Sequence, residues 1–472
     1  MKKNLLYILA AAGLMLSAAC KKDLGNYSYN APTTPVVAGL DSSTVSALVG
    51  DTLTVQPKVT LEGGDPLKDL TFDWDIVVAE EARTVHYTGY PLKIVYNLKP
   101  MQRTAKLTVT DNRNGMKYFY SFYINGGTQF SVGQTVLSVE NGVTRLSFVR
   151  PDGTVNSNLY YALHNEDLPV NPVQLFAKPL AYQPGTVEDY WIICKDPAKP
   201  SVILDGSTML RKRYFDEQFF KAPNPLVTEQ CDGAMGIPTG IFNGKLYVSV
   251  TSTAPFAPDF GKFSSVVTGN YELSTCYTRT PSWFFGFDKL SHGFVSFNSG
   301  GGYMGSDYNV TASVFDPKNL GDGTLLYMQA VSGTTYAYYK SADGNIYEYS
   351  FTLDMDNYDQ RTIKPLVKRV FKGAAIIQPD SKWQKSLSDV FYISSNDKIY
   401  RYNPINEDLR LLDANFSGKK VTMLKLNSDN TLLQAGIDGA VATLDVSVGK
   451  SGSIISQIVG IPGAPVDIVN RK

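Results

Sequence analysis

One unit recurs along this chain and limits what it can fold into: an apolar strand, a tight turn, then a second strand. Residues 335–349 (TYAYYKSADGNIYEY) match the layout of residues 389–402 (DVFYISSNDKIYRY), and residues 432–446 (LLQAGIDGAVATLDV) repeat it with smaller side chains. Asp343-Gly344, Asn396-Asp397 and Asp438-Gly439 are hairpin turn signals. Similar strand pairs precede them: Thr135–Val139 with Arg145–Val149, Asp189–Cys194 with Ser201–Leu204, and Trp283–Phe287 with Gly293–Phe297. A spacing of roughly 45–55 residues suits one blade of a β-propeller, which predicts about seven blades over residues 126–472. No 15-residue window beyond the leader carries a helical apolar stripe, so the fold class is all-β.

Residues 35–125 read as a separate small module. Thr52–Val55, Leu70–Ile76, Leu92–Tyr96, Ala105–Thr110 and Tyr118–Phe122 alternate apolar and polar residues, with turns at Gly50-Asp51, 63–65 and 111–115. Six or seven short strands in some 90 residues predict a β-sandwich of immunoglobulin type. Trp74, on a middle strand, is the expected core anchor.

The first residues carry an export signal. Lys2 and Lys3 precede an apolar run, Leu5 to Leu16, then Ser17-Ala18-Ala19 and Cys20. A basic start, a short apolar core and small residues before a cysteine read as a bacterial lipoprotein leader. The run is short of the roughly 20 residues a membrane-spanning helix needs. The expected order is therefore a signal peptide over 1–19, a lipidated tether over 20–34 with Cys20 acylated, the sandwich over 35–125 and the propeller-like domain over 126–472. Stable anchoring takes more than one acyl chain on Cys20, palmitate among them.

Charge excludes one class of partner. The chain has 44 basic and 44 acidic residues, and loss of Lys2 and Lys3 leaves 42 against 44. A nucleic-acid binder needs a concentrated basic surface, and none is offered. With Cys20 lipidated, Cys194, Cys231 and Cys276 remain. An odd set leaves at least one free thiol, and no CxxC spacing offers a zinc ribbon.

Motifs for chemistry are weak. His86, His164 and His292 lie far apart and fit no HExxH cluster, so no metal is assigned. No GxSxG elbow names a nucleophilic serine, and no catalytic residue or cofactor is assigned. Residues 300–305 fit GxGxxG, but a strand pattern follows where a dinucleotide site needs a helix. Asp354, Asp356, Asn357 and Asp359 resemble half of a calcium loop that lacks its glycine and its final acid. Aromatic segments Tyr336–Tyr339, Tyr347–Tyr349 and Trp283–Phe287 fit either sheet cores or a binding face.

Residues 20–29 (CKKDLGNYSY), with Phe72-Asp73-Trp74-Asp75 and the strand 107–111 (LTVTD), resemble the PKD-like lipoproteins of Bacteroidetes. The resemblance implies an outer-membrane lipoprotein facing the cell exterior. Its implied partners are a TonB-dependent transporter of the SusCD type and that transporter's lid lipoprotein. The implied role is accessory and non-catalytic: binding a nutrient, peptide or glycan, or docking on the transporter. The alternative is a propeller enzyme, a glycosidase or lyase acting on polysaccharide.

Overall fold

A computed structural model of the chain describes residues 33–180, 183–234, 237–253, 257–280, 283–298, 302–356, 360–387 and 389–471. Cys20, the leader and most of the expected tether lie outside the described residues. Strands dominate, and the described α-helices are the short Pro66–Asp69 and Leu159–His164. No described helix is long and apolar enough to cross a membrane.

Contacts divide the chain into two units. One holds the described residues up to Val45 with Leu53–Ile94 and Arg103–Ile124; the other holds Ser46–Thr52, Val95–Gln102 and Asn125 onward. In the first, a five-stranded sheet runs in the order Thr44–Leu48, Lys117–Gly127, Gln102–Asp111, Leu70–Val78, Arg83–Thr88. Alternation sets its faces: Leu70, Phe72, Trp74, Ile76 and Val78 are buried while Thr71 and Val77 are exposed. Trp74 is the anchor the sequence predicts. It is 1% exposed, its Nε1–H donates to Gly89 O at 2.8 Å, and its ring meets Phe122 edge-on.

The second unit contains seven sheets that follow one another along the chain. We number them one to seven, beginning at residues 133, 172, 228, 273, 309, 383 and 423. Most are four-stranded antiparallel meanders, in which each strand pairs with the next in sequence. Sheet three has three strands, sheet five adds Asn309–Val310 in parallel with Thr362–Val370, and in sheet one the strand Gly133–Glu140 pairs on one side with Val143–Val149 and on the other with Ala464–Arg471.

Seven apolar cores lie among these sheets, one between each consecutive pair. Tyr190 and Ile192 of sheet two pack against Leu137 and Phe148 of sheet one, while Trp191 and Ile193, on the opposite face, pack against Phe242 of sheet three. The last core joins Val441 of sheet seven to Val136 and Ile468 of sheet one. Central strands buried on both faces need apolar residues at nearly every position, as Trp283–Asp288 shows. Tyr338, Tyr339, Tyr349 and Phe285 belong to these cores, so these aromatic segments serve packing. Cys194, Cys231 and Cys276 are all free thiols. Burial pushes Cys194 up to about 12 and Cys231 well above the ordinary thiol range.

Candidate functional site

One edge strand of each sheet lies against an edge strand of a neighbouring sheet: Ala464–Arg471 of sheet one touches Pro172–Leu180 of sheet two and Met423–Leu426 of sheet seven, Pro172–Leu180 touches Thr228–Ala234 of sheet three, and Gly323–Val331 of sheet five touches Leu273–Arg279 of sheet four and Trp383–Lys385 of sheet six. Polar side chains link these strands. Asp467 of sheet one accepts from Leu175 N–H of sheet two and from Lys425 Nζ of sheet seven, each at 3.0 Å. The Gln174 amide both donates to Cys231 O and accepts from Cys231 N–H. Arg279 of sheet four lies 3.1 Å from Asp232 of sheet three. Lys385 of sheet six donates to Ala330 O of sheet five at 3.0 Å. Asp232 and Asp467 thus both lie against a cation.

Burial raises the carboxyl groups of Asp189 and Glu348, the direction a general acid needs. Neither has room for a substrate. Asp189 is 1% exposed and bonded to Lys212 at 2.6 Å. Glu348 is 0% exposed and accepts from Arg369 and Tyr402, each at 2.5 Å.

An open cleft of about 470 Å³ lies between sheets six and seven, within the roughly 300–1,000 Å³ of small-molecule sites. One row of residues crosses sheet six in register: Gln384, Tyr392, Arg401 and Arg410. Tyr392 packs into the core shared with sheet seven, so this face of the sheet looks toward that neighbour. Farther out along the row, Arg401 and Arg410 line the cleft. Like charges directly opposite repel, and Asp408 serves both: 2.6 Å from Arg410 Nε, 3.9 Å from Arg401 Nη1. Sheet seven supplies the far wall through two turns, residues 429–431 and 446–451. Asp445 fixes the second turn by accepting from Ser447 N–H and Oγ. Val448, 99% exposed, forms an apolar lip with Leu411.

The sequence did not single out this cleft. Residues 398–402 read as a strand, but Arg410 lies on a short strand, Asp408–Leu411, too polar to stand out. A usable signal was present: Arg401 and Arg410 flank a turn, Asn403 to Asp408, at the offset that makes them cross-strand partners.

The residues weighed in the sequence do not meet. His86 pairs with Asp75, His164 lies near Met209 O, and His292 lies 3.5 Å from Asp322. Among the described residues, no three His, Cys, Asp or Glu side chains gather as a metal set. Of the glycine-rich loop, Gly300 and Gly301 lie outside the described residues; Tyr303–Gly305 is a strand on sheet four. Asn357 and Asp359 of the acidic segment also lie outside them.

Three solved structures show likeness. The first is a quinonprotein alcohol dehydrogenase-like protein of Bacteroides thetaiotaomicron: 13% identity, 93% of this chain and 99% of that one, TM-score 0.43. The second is a functionally unknown protein of Desulfotomaculum acetoxidans: 12% identity, 72% and 99% coverage, TM-score 0.41. The third is the extracellular domain of a protein assigned to the one-component systems of Bacteroides thetaiotaomicron: 9% identity, 92% and 66% coverage, TM-score 0.36. None of these likenesses bears on what this chain does. No curated protein matches the chain. Residues 20–172, about a third of the chain, match the model of the PKD-like family.

Proposed function

We propose that this chain is a bacterial outer-membrane lipoprotein, held by acylated Cys20 and facing the cell exterior, that binds a nutrient or docks on a TonB-dependent transporter complex. On this reading residues 35–125 form a PKD-like sandwich, and the seven sheets are the blades of a propeller whose ring the C-terminal strand closes. Support for the anchor comes from the leader pattern and from the PKD-like match, which starts at Cys20. Support for the ring comes from a core between sheets seven and one.

One observation carries the non-catalytic reading. The carboxylates tuned toward acid chemistry, Asp189 and Glu348, are sealed by cations and hydroxyls, while the open cleft is lined by groups that bind. The test is recovery of tagged full-length protein from outer membranes. Co-purification of a transporter barrel and its lid lipoprotein supports docking. Turnover of any glycan or peptide in a panel overturns the non-catalytic reading. An unmodified Cys20 in mass spectrometry of the mature chain overturns the anchor.

A further inference from the structure

We propose that the cleft between sheets six and seven binds a saccharide bearing a carboxylate, with Arg401 and Arg410 holding the acid group. This inference rests on the binding role proposed above and names the ligand class for that site. Three observations lead to it. First, Arg401 and Arg410 are cross-strand partners on one sheet face, and the one carboxylate they share, Asp408, leans toward Arg410. An anion placed between the guanidinium groups relieves their repulsion, and planar forks suit a carboxylate. Second, Lys450 adds a further cation to the opposite wall, where Asp429 is the lining acid and Asp408 and Asp445 lie behind the arginines and the lysine. Third, the remaining polar lining is neutral: Tyr392, Asn430, Thr431, Ser447 and Ser451. Amides and hydroxyls of this kind match a ligand rich in hydroxyl groups.

An acidic peptide is the rival ligand. Peptides bound in extended form draw affinity from a run of main-chain hydrogen bonds. The cleft instead presents side chains and two tight turns, in which the N–H groups of Asn430, Thr431, Ser447 and Lys450 are already bonded to Asn427, Asp445 and Ser447.

Isothermal titration of the full chain tests the inference. The probes are digalacturonate, a glucuronate-containing hyaluronan tetrasaccharide, neutral galactobiose and tetraglutamate. The expected result is binding of at least one acidic saccharide, at least tenfold tighter than galactobiose and weakened by added salt. Arg401→Gln and Arg410→Gln are each expected to weaken that binding tenfold or more. Lys450→Gln, in an exposed turn, gives a smaller loss without threatening the fold. Three results overturn the inference: neither acidic saccharide binds, galactobiose binds equally well, or the arginine variants bind unchanged while folded. Tighter binding of tetraglutamate overturns it in favour of an acidic peptide. Capture of a transporter by a chain that binds no acidic saccharide defeats this inference alone and leaves the docking role standing.

Discussion

Glu348 offers the sharpest test of how the sheets are held together. Its carboxylate sits in sheet five, fully buried, and accepts from Arg369 Nη2 of its own sheet and from Tyr402 Oη of sheet six. Burial pushes the carboxyl up, and the Tyr402 and Arg369 donors oppose that push. Glu348→Ala removes two charge-assisted hydrogen bonds, about 1.5–3 kcal/mol each, leaves the Tyr402 hydroxyl without its anion and leaves Arg369 only the longer ion pair with Glu407. The carboxylate's own desolvation cost is relieved, so the net loss is about 3–4 kcal/mol, in line with other broken buried pairs. Replacing all three groups together, as E348M/R369M/Y402F, removes the buried orphans at once and leaves only Pro404 O and the more exposed Glu407 without Arg369. That triple variant is expected to unfold within about 1 kcal/mol of the parent. Equilibrium urea unfolding followed by tryptophan fluorescence measures both, since Trp383 lies in the same core. A single variant that loses less than about 1 kcal/mol, or a triple variant as unstable as the single one, refutes this account.

Three further outcomes are expected. Deleting residues 464–472 strips sheet one of its edge partner and leaves Val136 without Ile468; limited proteolysis should then digest the region beyond residue 125, and a resistant core of parental size would contradict it. Trp74→Ala should cost about 3–5 kcal/mol by urea unfolding, against about 1 kcal/mol for Trp74→Phe, which keeps a ring but loses the bond to Gly89 O. Glu166 is held below the ordinary carboxylate value of 4.5, chiefly by the Tyr160 hydroxyl and also by Arg211. Its stabilisation is therefore complete above that value and fades as pH falls through the lower folded one; Glu166→Gln should flatten stability between pH 7 and pH 3, and an unchanged acid-side slope would refute the assignment.

The strands legible in the sequence were those with two apolar faces or strict alternation. Thr52–Val55, Trp283–Phe287 and Lys398–Tyr402 all fall on observed strands, because burial on one or both sides leaves a pattern of period two or a continuous apolar run. Two first strands, those of sheets two and three, were harder to see. Pro172–Leu180 contains two prolines and Lys178, and Thr228–Ala234 reads as Thr-Glu-Gln-Cys-Asp-Gly-Ala. Such strands have one unpaired edge, which tolerates proline, and they carry the polar links between sheets. The pairing of Gly133–Glu140 with Ala464–Arg471 left no local trace at all, since a pattern scan compares neighbours and these partners are over 300 residues apart. The cleft was hidden for a related reason: its two walls come from different sheets, and only the offset between Arg401 and Arg410 could be read locally.

The partnership between the first and last strands of the larger unit imposes an order on its making. Synthesis delivers Gly133 well before Ala464, so sheet one waits, incomplete, while more than 300 intervening residues emerge. Until then its bare border is a template for any stray strand. A molecule cut short anywhere between Asn156 and Ala464 is not a slightly weaker version of the whole. It carries an open strand edge, which makes Ala464–Arg471 the segment on which completion of sheet one depends.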